Sequence, residues 1–310
     1  MSSIALRKKD AFAVVAPPPP AGPPHPSAAA LTESAARVAA RGKARPAPTG
    51  YQRFQAPDWL LKSIASVLGF ALFVCVWAAI AKFGGRIPGP VAVWHAAVTI
   101  FADPFYQKGP NDQGIGWNVL SSLKRVGIGF GLAALVGIPL GFLIGRFRFL
   151  SDMAAPMIAI LRPVSPLAWL PIGLLLFKAA NPAAIYAIFI CSLWPMIINT
   201  AVGVRQVPQD YLNVARVLNL SEWKVFTKIL FPAVLPYMLT GVRLSIGIAW
   251  LVIVAAEMLT GGVGIGFWVW DEWNNMKVEH IIIAIFTIGI VGLLLEQALM
   301  LVARRFSYNS

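Results

Sequence analysis

The chain has 310 residues, of which 58% are hydrophobic and only 13% charged, a balance too apolar and too poor in charge for an ordinary soluble domain. Its net charge of +13 would suit a nucleic-acid binder, but Lys and Arg sit mostly in the N-terminal tail and in short loops between apolar runs. That is the positive-inside pattern of a membrane protein, and it argues against nucleic acid as a partner. Two cysteines, Cys75 and Cys191, lie inside apolar runs without CxxC spacing, so they suggest neither a disulfide framework nor a metal site and are expected to be buried filler.

Residues 1–57 hold ten prolines and eight Lys/Arg against two acids. The runs Pro17–Pro20 and Pro23–Pro26 cannot continue a helix. No apolar stretch follows the basic cluster Arg7, Lys8, Lys9, so the segment does not read as a signal peptide. It is expected to be a disordered cytoplasmic tail, followed by a membrane domain over 58–310.

The first span is predicted at Ser63–Ala81, with Trp59 and Lys62 as its inner interfacial anchors. A long connector follows, with a short amphipathic helix at Pro90–Ala102 and a turn-rich middle over Asp103–Trp117. The second span, Val126–Gly145, places Gly137, Gly141 and Gly145 on one face, where a neighbouring backbone can come close; Pro139 is expected to kink it. A third span over Ala154–Phe177 is the least regular, with Pro156, Pro163, Pro166 and Pro171, Arg162 inside, and Ser165 placed to satisfy backbone groups that the prolines free. Clean apolar stretches complete the set at Pro182–Val204, Val234–Ala256 and Ile281–Ala303. Six spans put both termini on one side. With the termini inside, inner segments carry seventeen Lys/Arg and outer ones seven, which favours cytoplasmic termini.

Between the fourth and fifth spans lies the longest charge-bearing segment of the apolar second half, Val207–Pro236. Asp210 is expected to cap a helix carrying Leu212, Ala215 and Leu218 on one side. Ser221 would cap a second helix running to Leu230, and Pro232 and Pro236 would end it at the membrane. The two helices, joined at Asn219–Ser221, form a compact cytoplasmic knob. Elsewhere, VGIGF occurs at Val126–Phe130 and again at Val263–Phe267. Neither copy sits in a strand–turn–helix setting, so both read as packing glycines and not as a dinucleotide fingerprint. No nucleophile–base pair, metal cluster or phosphate-cradling loop is present in the sequence.

The knob resembles the cytoplasmic loop of inner-membrane permeases of binding-protein-dependent ABC importers. That loop has the form EAA, three residues, Gly, nine residues, Ile, one residue, Leu-Pro. Here Asn213-Val214-Ala215, Asn219, Ile229 and Phe231-Pro232 fit the spacing throughout; Ala215, Ile229 and Pro232 match outright, and Asn213 and Asn219 replace the Glu and the Gly. Asn tolerates the left-handed conformation that Gly would supply. Segments such as LTGVRLSIGIAW and VAAEMLTGGVGIGFWVWDEWNN, within a similarity from about Trp59 to Tyr308, look like the nitrate/sulfonate/taurine branch, and most like nitrate permeases.

The resemblance implies an all-α membrane protein of about six spans with the type I importer architecture, in the bacterial inner membrane. It further implies a function: a permease subunit for a small oxyanion, nitrate foremost, with sulfonate or taurine, cyanate and bicarbonate as alternatives. Leu212, Asn213, Ala215, Leu218, Asn219, Ser221, Ile229 and Pro232 would form the coupling loop that inserts into cytoplasmic ATPase subunits. Those partners would bind ATP and Mg, so this chain would hold no cofactor and catalyse no hydrolysis. A second permease copy, membrane lipid and a periplasmic binding protein complete the expected partners. The loop after Glu257 should face outward, with Trp268, Trp270, Asp271, Glu272 and Trp273 as candidate docking residues, and His280 at the interface.

Anion passage needs positive charge near the route without a deep trap. Ionisable residues at membrane depth are costly and therefore point to function. The candidates are Arg162, foremost, then Arg243, Lys178, Lys124 and Arg125; Glu296 is expected to be a structural partner. A rival reading, a secondary transporter acting alone, would require inverted repeats that the sequence does not display.

Overall fold

A computed structural model describes residues 58–85 and 87–306; the expected tail and its His25, Arg86 and the terminal residues from Ser307 lie outside the described residues. The chain divides into two compact units, 1–67 and 68–310. The first contains, among described residues, only the opening of helix α1 (Asp58–Gly84). The second contains the rest of α1 and all later elements.

Helix α1 is apolar on every side, with Leu61, Val67, Phe70 and Phe73 all exposed, as a lipid-facing span should be. Cys75 lies on it and is exposed, so the expectation of buried filler holds only for Cys191, which is buried. Helix α2 (Pro90–Ala102) is the short one expected; it buries Val93 against the main core. The second span is α3 (Ile115–Arg146), a 32-residue helix with Pro139 inside it.

The third predicted span is in fact two helices, α4 (Arg148–Leu161) and α5 (Pro166–Phe177), bent by 99° at Arg162–Ser165. Proline explains the break. Pro163 has no N–H to continue α4, and Pro166 keeps the residue before it, Ser165, extended at φ −56° and ψ 134°. Pro166 sits at the start of α5, where a missing N–H costs nothing. Ser165 is the residue before that start but makes no capping hydrogen bond, contrary to expectation.

Helix α6 (Ala180–Arg205) forms the centre, with residues from Ala183 to Val204 buried along its length. The predicted glycine face of α3 is what lets it approach. A methyl at Gly141 would meet Thr200 Cβ at 2.6 Å, and one at Gly137 would meet Met196 Cβ at 3.1 Å. Dispersion between closely approaching helices replaces the hydrophobic drive that is absent in lipid. On its other side α6 meets α9 (Phe231–Thr260), where Gly241 fits against Pro195 and Asn199.

The knob comprises α7 (Gln209–Val217), the short α8 (Glu222–Val225) and a π-helical turn, Phe226–Leu230, that runs directly into α9. Pro232 and Pro236 therefore do not end this segment, as the sequence had suggested. In the π turn the Phe231 N–H reaches back five residues to the Phe226 carbonyl, and this wider turn lies directly ahead of Pro232, so the chain stays helical through both prolines. Helix α10 (Ile265–Asn274) and α11 (Val278–Phe306) complete the fold. Among the described residues five helices are long and apolar enough to cross a membrane, or six when the bent α4–α5 pair is one span.

Candidate functional site

Three places bring predicted residues together. The first is the knob. Leu212 and Ala215 are buried against the bundle, but Leu218 is 63% exposed, because it caps α7 instead of continuing its inner face. Asp210 is not a cap either. It lies in the first turn after Pro208, where its charge favours the helix dipole. Asn219 does what its position requires. Its φ is +48°, the Asn219 N–H donates to the Arg216 carbonyl, and the Leu220 N–H donates to the Ala215 carbonyl. These two bonds are a Schellman closure with Asn in the left-handed position. Ser221 precedes α8 without a capping bond, Asn213 accepts from Arg216 at 3.3 Å, Ile229 is half-buried and Pro232 exposed. Outside, Tyr211, Val214, Val217, Leu218 and Trp223 form an exposed apolar surface.

The second place is a cavity of about 500 Å³ lined by Arg162, Cys191, Trp194, Pro195, Asn199 and Leu251, among others. Arg162 lies at the α4–α5 bend, about 21 Å along α4 from its start at 1.5 Å per residue, and the α6 residues that face it lie near the middle of that helix. Arg162 has no carboxylate within ion-pair distance among the described residues. The other two candidate arginines do. Arg243 pairs with Glu296, its Nε donating at 2.9 Å and its Nη2 bonding the same oxygen, as expected for Glu296 as a structural partner. Lys124 and Lys178 are exposed, and Lys178 ends α5 with a φ of +52°.

The third place was not legible beforehand. Arg125, a predicted pathway residue, is instead the counter-ion of a buried cluster. Its Nη1 donates to Glu257 Oε1 at 2.6 Å, and its Nε donates to Asn181 Oδ1 of α6 at 2.8 Å. Glu257 is 1% exposed and also accepts from Ser122 at 2.8 Å and from the Gly266 N–H at 3.0 Å. Ser122 in turn accepts the Ile265 N–H at 3.0 Å, and Asn118 accepts the Gly264 N–H at 2.9 Å. The second VGIGF copy is thereby explained. A side chain at Gly264 or Gly266 would collide with Glu257 or with the Val254 carbonyl. In the first copy only Gly129 packs closely, against Ile188; Gly127 faces open space.

Beyond this cluster, α10 divides the predicted docking residues. Trp270 and Trp273 are exposed, 44% and 55%, and Asp271 is exposed beside Asn275. Trp268 and Glu272 are each only 7% exposed. Trp268 stacks on His280, and Glu272 faces His280 at 3.1 Å and Lys277 at 3.7 Å.

Residues 137–308 match the family described as the binding-protein-dependent transport system inner membrane component. The chain belongs to this family. The matched stretch contains the knob, the bend and α10, so the resemblance read from the loop spacing is borne out. The permease is 48% identical over 237 residues to the nitrate import permease protein of Synechocystis sp., covering 76% of this chain and 86% of that one. It is 44% identical over 263 residues to the nitrate import permease protein of Leptolyngbya laminosa, covering 85% and 94%. It is also 45% identical over 255 residues to the bicarbonate transport system permease protein of Synechococcus elongatus, covering 81% and 91%. Among solved structures, an inward-facing form of the MetNI methionine ABC transporter superposes with a TM-score of 0.53 at 14% identity, covering 61% of this chain and 94% of that one. At that identity the likeness is of fold: the permease has the helical architecture of an ABC importer permease.

Proposed function

We propose that this permease is the transmembrane subunit of an ATP-driven importer for a small inorganic oxyanion, nitrate foremost. The observation that carries the reading is Arg162, an exposed guanidinium that lines a cavity between α4, α6 and α9 and has no ion-pair partner among the described residues. Its planar donors suit a trigonal oxyanion, while the absence of a second cation in the cavity lining keeps the site shallow enough for release. Nitrate follows from relatives 44–48% identical. Bicarbonate is the second reading, because a bicarbonate permease is 45% identical.

In this reading both termini are cytoplasmic and the knob meets ATPase subunits, which bind ATP and Mg; the chain itself hydrolyses nothing. The tail 1–57 is a separate cytoplasmic segment from the membrane domain. The cavity is open on one side, and a second copy of the chain closes it; lipid surrounds the pair. The exposed apolar surface of Tyr211, Val214 and Leu218 fills a groove on the ATPase, with Asn219 setting the angle between α7 and α8. The loss of the acidic residue at Asn213 makes shape and apolar contact the main link. Lys124 and Lys178 attract anions toward the route, and Trp270, Asp271 and Trp273 receive a periplasmic binding protein, with Trp268 and Glu272 as internal supports.

Reconstitution of the permease with its ATPases and binding protein tests this. ATP hydrolysis should rise when nitrate-loaded binding protein is added, and an unresponsive complex with an intact knob argues strongly against the reading. Ala215→Asp places a charge where Ala215 is 2% exposed, which is costly without a partner. Uptake should fall at least tenfold, with membrane insertion unchanged; normal uptake would contradict the role given to the knob.

A further inference from the structure

Helix α10 begins in an unusual way. The first amides of a helix lack intrahelical acceptors and are commonly satisfied by a side chain at the cap position. Here the cap residue is Gly264, preceded by Gly261, Gly262 and Val263, so no local side chain can serve. The acceptors come from other helices. Gly264 N–H goes to Asn118 and Ile265 N–H to Ser122, both on α3, and Gly266 N–H goes to Glu257 on α9. An anion facing a helix N-terminus is favoured by the dipole, and Arg125 balances its charge while holding Asn181 on α6. Three helices, α3, α9 and α10, thus meet at one buried carboxylate, and Arg125 ties in α6 through Asn181. At the far end of α10, Glu272 lies 3.7 Å from Lys277 and 3.1 Å from His280.

We propose that the Asn118–Ser122–Glu257 set is a latch that makes α10 one rigid body with the outer ends of α3 and α9, so that load received on Trp270, Asp271 and Trp273 is delivered to the spans. Asn118, Ser122 and Glu257 are positioning residues: they touch neither anion nor binding protein and act through α10. The proposal rests on the reading of α10 as the docking element. Its physical content is that a buried polar set has discrete arrangements, intact or broken, and does not deform by degrees. Intact, it forbids α10 from yielding alone. Broken, α10 can be occupied while α3 and α9 stay where they are. The glycines follow from the same geometry, since the backbone at Gly264 and Gly266 must reach the carboxylate.

The test uses the full complex in lipid nanodiscs: permease, ATPase subunits and binding protein. Ser122→Ala should keep the affinity for loaded binding protein within about threefold but lower its stimulation of ATP hydrolysis at least fivefold, whereas Ser122→Thr, which keeps the oxygen, should restore at least half. Asn118→Ala removes the Gly264 acceptor without touching the ion pair, and gives the same split if Ser122→Ala fails to fold. In a background with Cys75 and Cys191 replaced, spin labels at Leu120→Cys and Asn274→Cys report α3 against α10. A narrow distance distribution is expected with Ser122 present and a broad one with Ser122→Ala. Wild-type stimulation and a narrow distribution in both variants would overturn the latch, as would equal losses of affinity and stimulation. A wild-type complex that binding protein does not stimulate overturns the importer reading itself, a failure visible before any variant is made.

Discussion

Arg125 and Arg162 are both candidates for the anion route by sequence, but their surroundings differ. Arg125 is 12% exposed, touches a fully buried carboxylate at 2.6 Å and a second helix at Asn181. Its charge is spent on holding helices together. Arg162 sits where two prolines interrupt the chain, faces a cavity of about 500 Å³, and has no acidic partner among the described residues. A cation at membrane depth without a partner is expensive to keep, and so the unpaired arginine, not the paired one, is the place to look for an anion. Arg243 falls between them, paired with Glu296 but about half exposed.

Removing Arg125 should do the most damage. Arg125→Gln strands the Glu257 carboxylate, and breaking a buried pair costs about 3–5 kcal/mol. A large fall in the thermal midpoint of the purified permease is expected, and Arg125→Gln combined with Glu257→Gln should recover much of it. If the single variant melts like wild type, the contrast between the two arginines is wrong. Arg162→Gln comes next. Nitrate uptake should fall at least tenfold, equivalent to about 1.4 kcal/mol or more, with little change in melting, and Arg162→Lys should recover part because the charge remains. Arg243→Gln should matter least, since exposed pairs contribute about 0–1 kcal/mol; uptake within about twofold of wild type is expected.

The contrast also shows what could be read from the sequence. Apolar runs, glycine spacing and the loop motif were local patterns, and each gave its element: the glycine face on α3, the left-handed Asn219, the short helix α2. Arg162 was singled out because a charge within an apolar run is visible by itself. What pairs with a charge is not. Glu257 meets Arg125 across 132 positions of sequence, and Glu296 meets Arg243 across 53; no periodicity links such residues. The same limit explains why Asn118, Ser122 and Asn181 went unnoticed, and why Trp268 and Glu272 looked like surface residues. Prolines misled in both directions. Pro163 and Pro166 bent a span by 99° that had read as continuous, while Pro232 and Pro236 were absorbed into a helix that had seemed to end there, because a π turn shifts the hydrogen-bond register ahead of them.

The central claim is that Arg162 serves the anion while the paired arginines serve the fold. Its most direct test is ATP-driven uptake of labelled nitrate into proteoliposomes holding the complete complex, with Arg162→Gln and Arg243→Gln compared in the same bilayer. The account predicts at least a tenfold loss for Arg162→Gln and at least half of wild-type uptake for Arg243→Gln. Undiminished uptake with Arg162→Gln, or equal losses in the two variants, would contradict it.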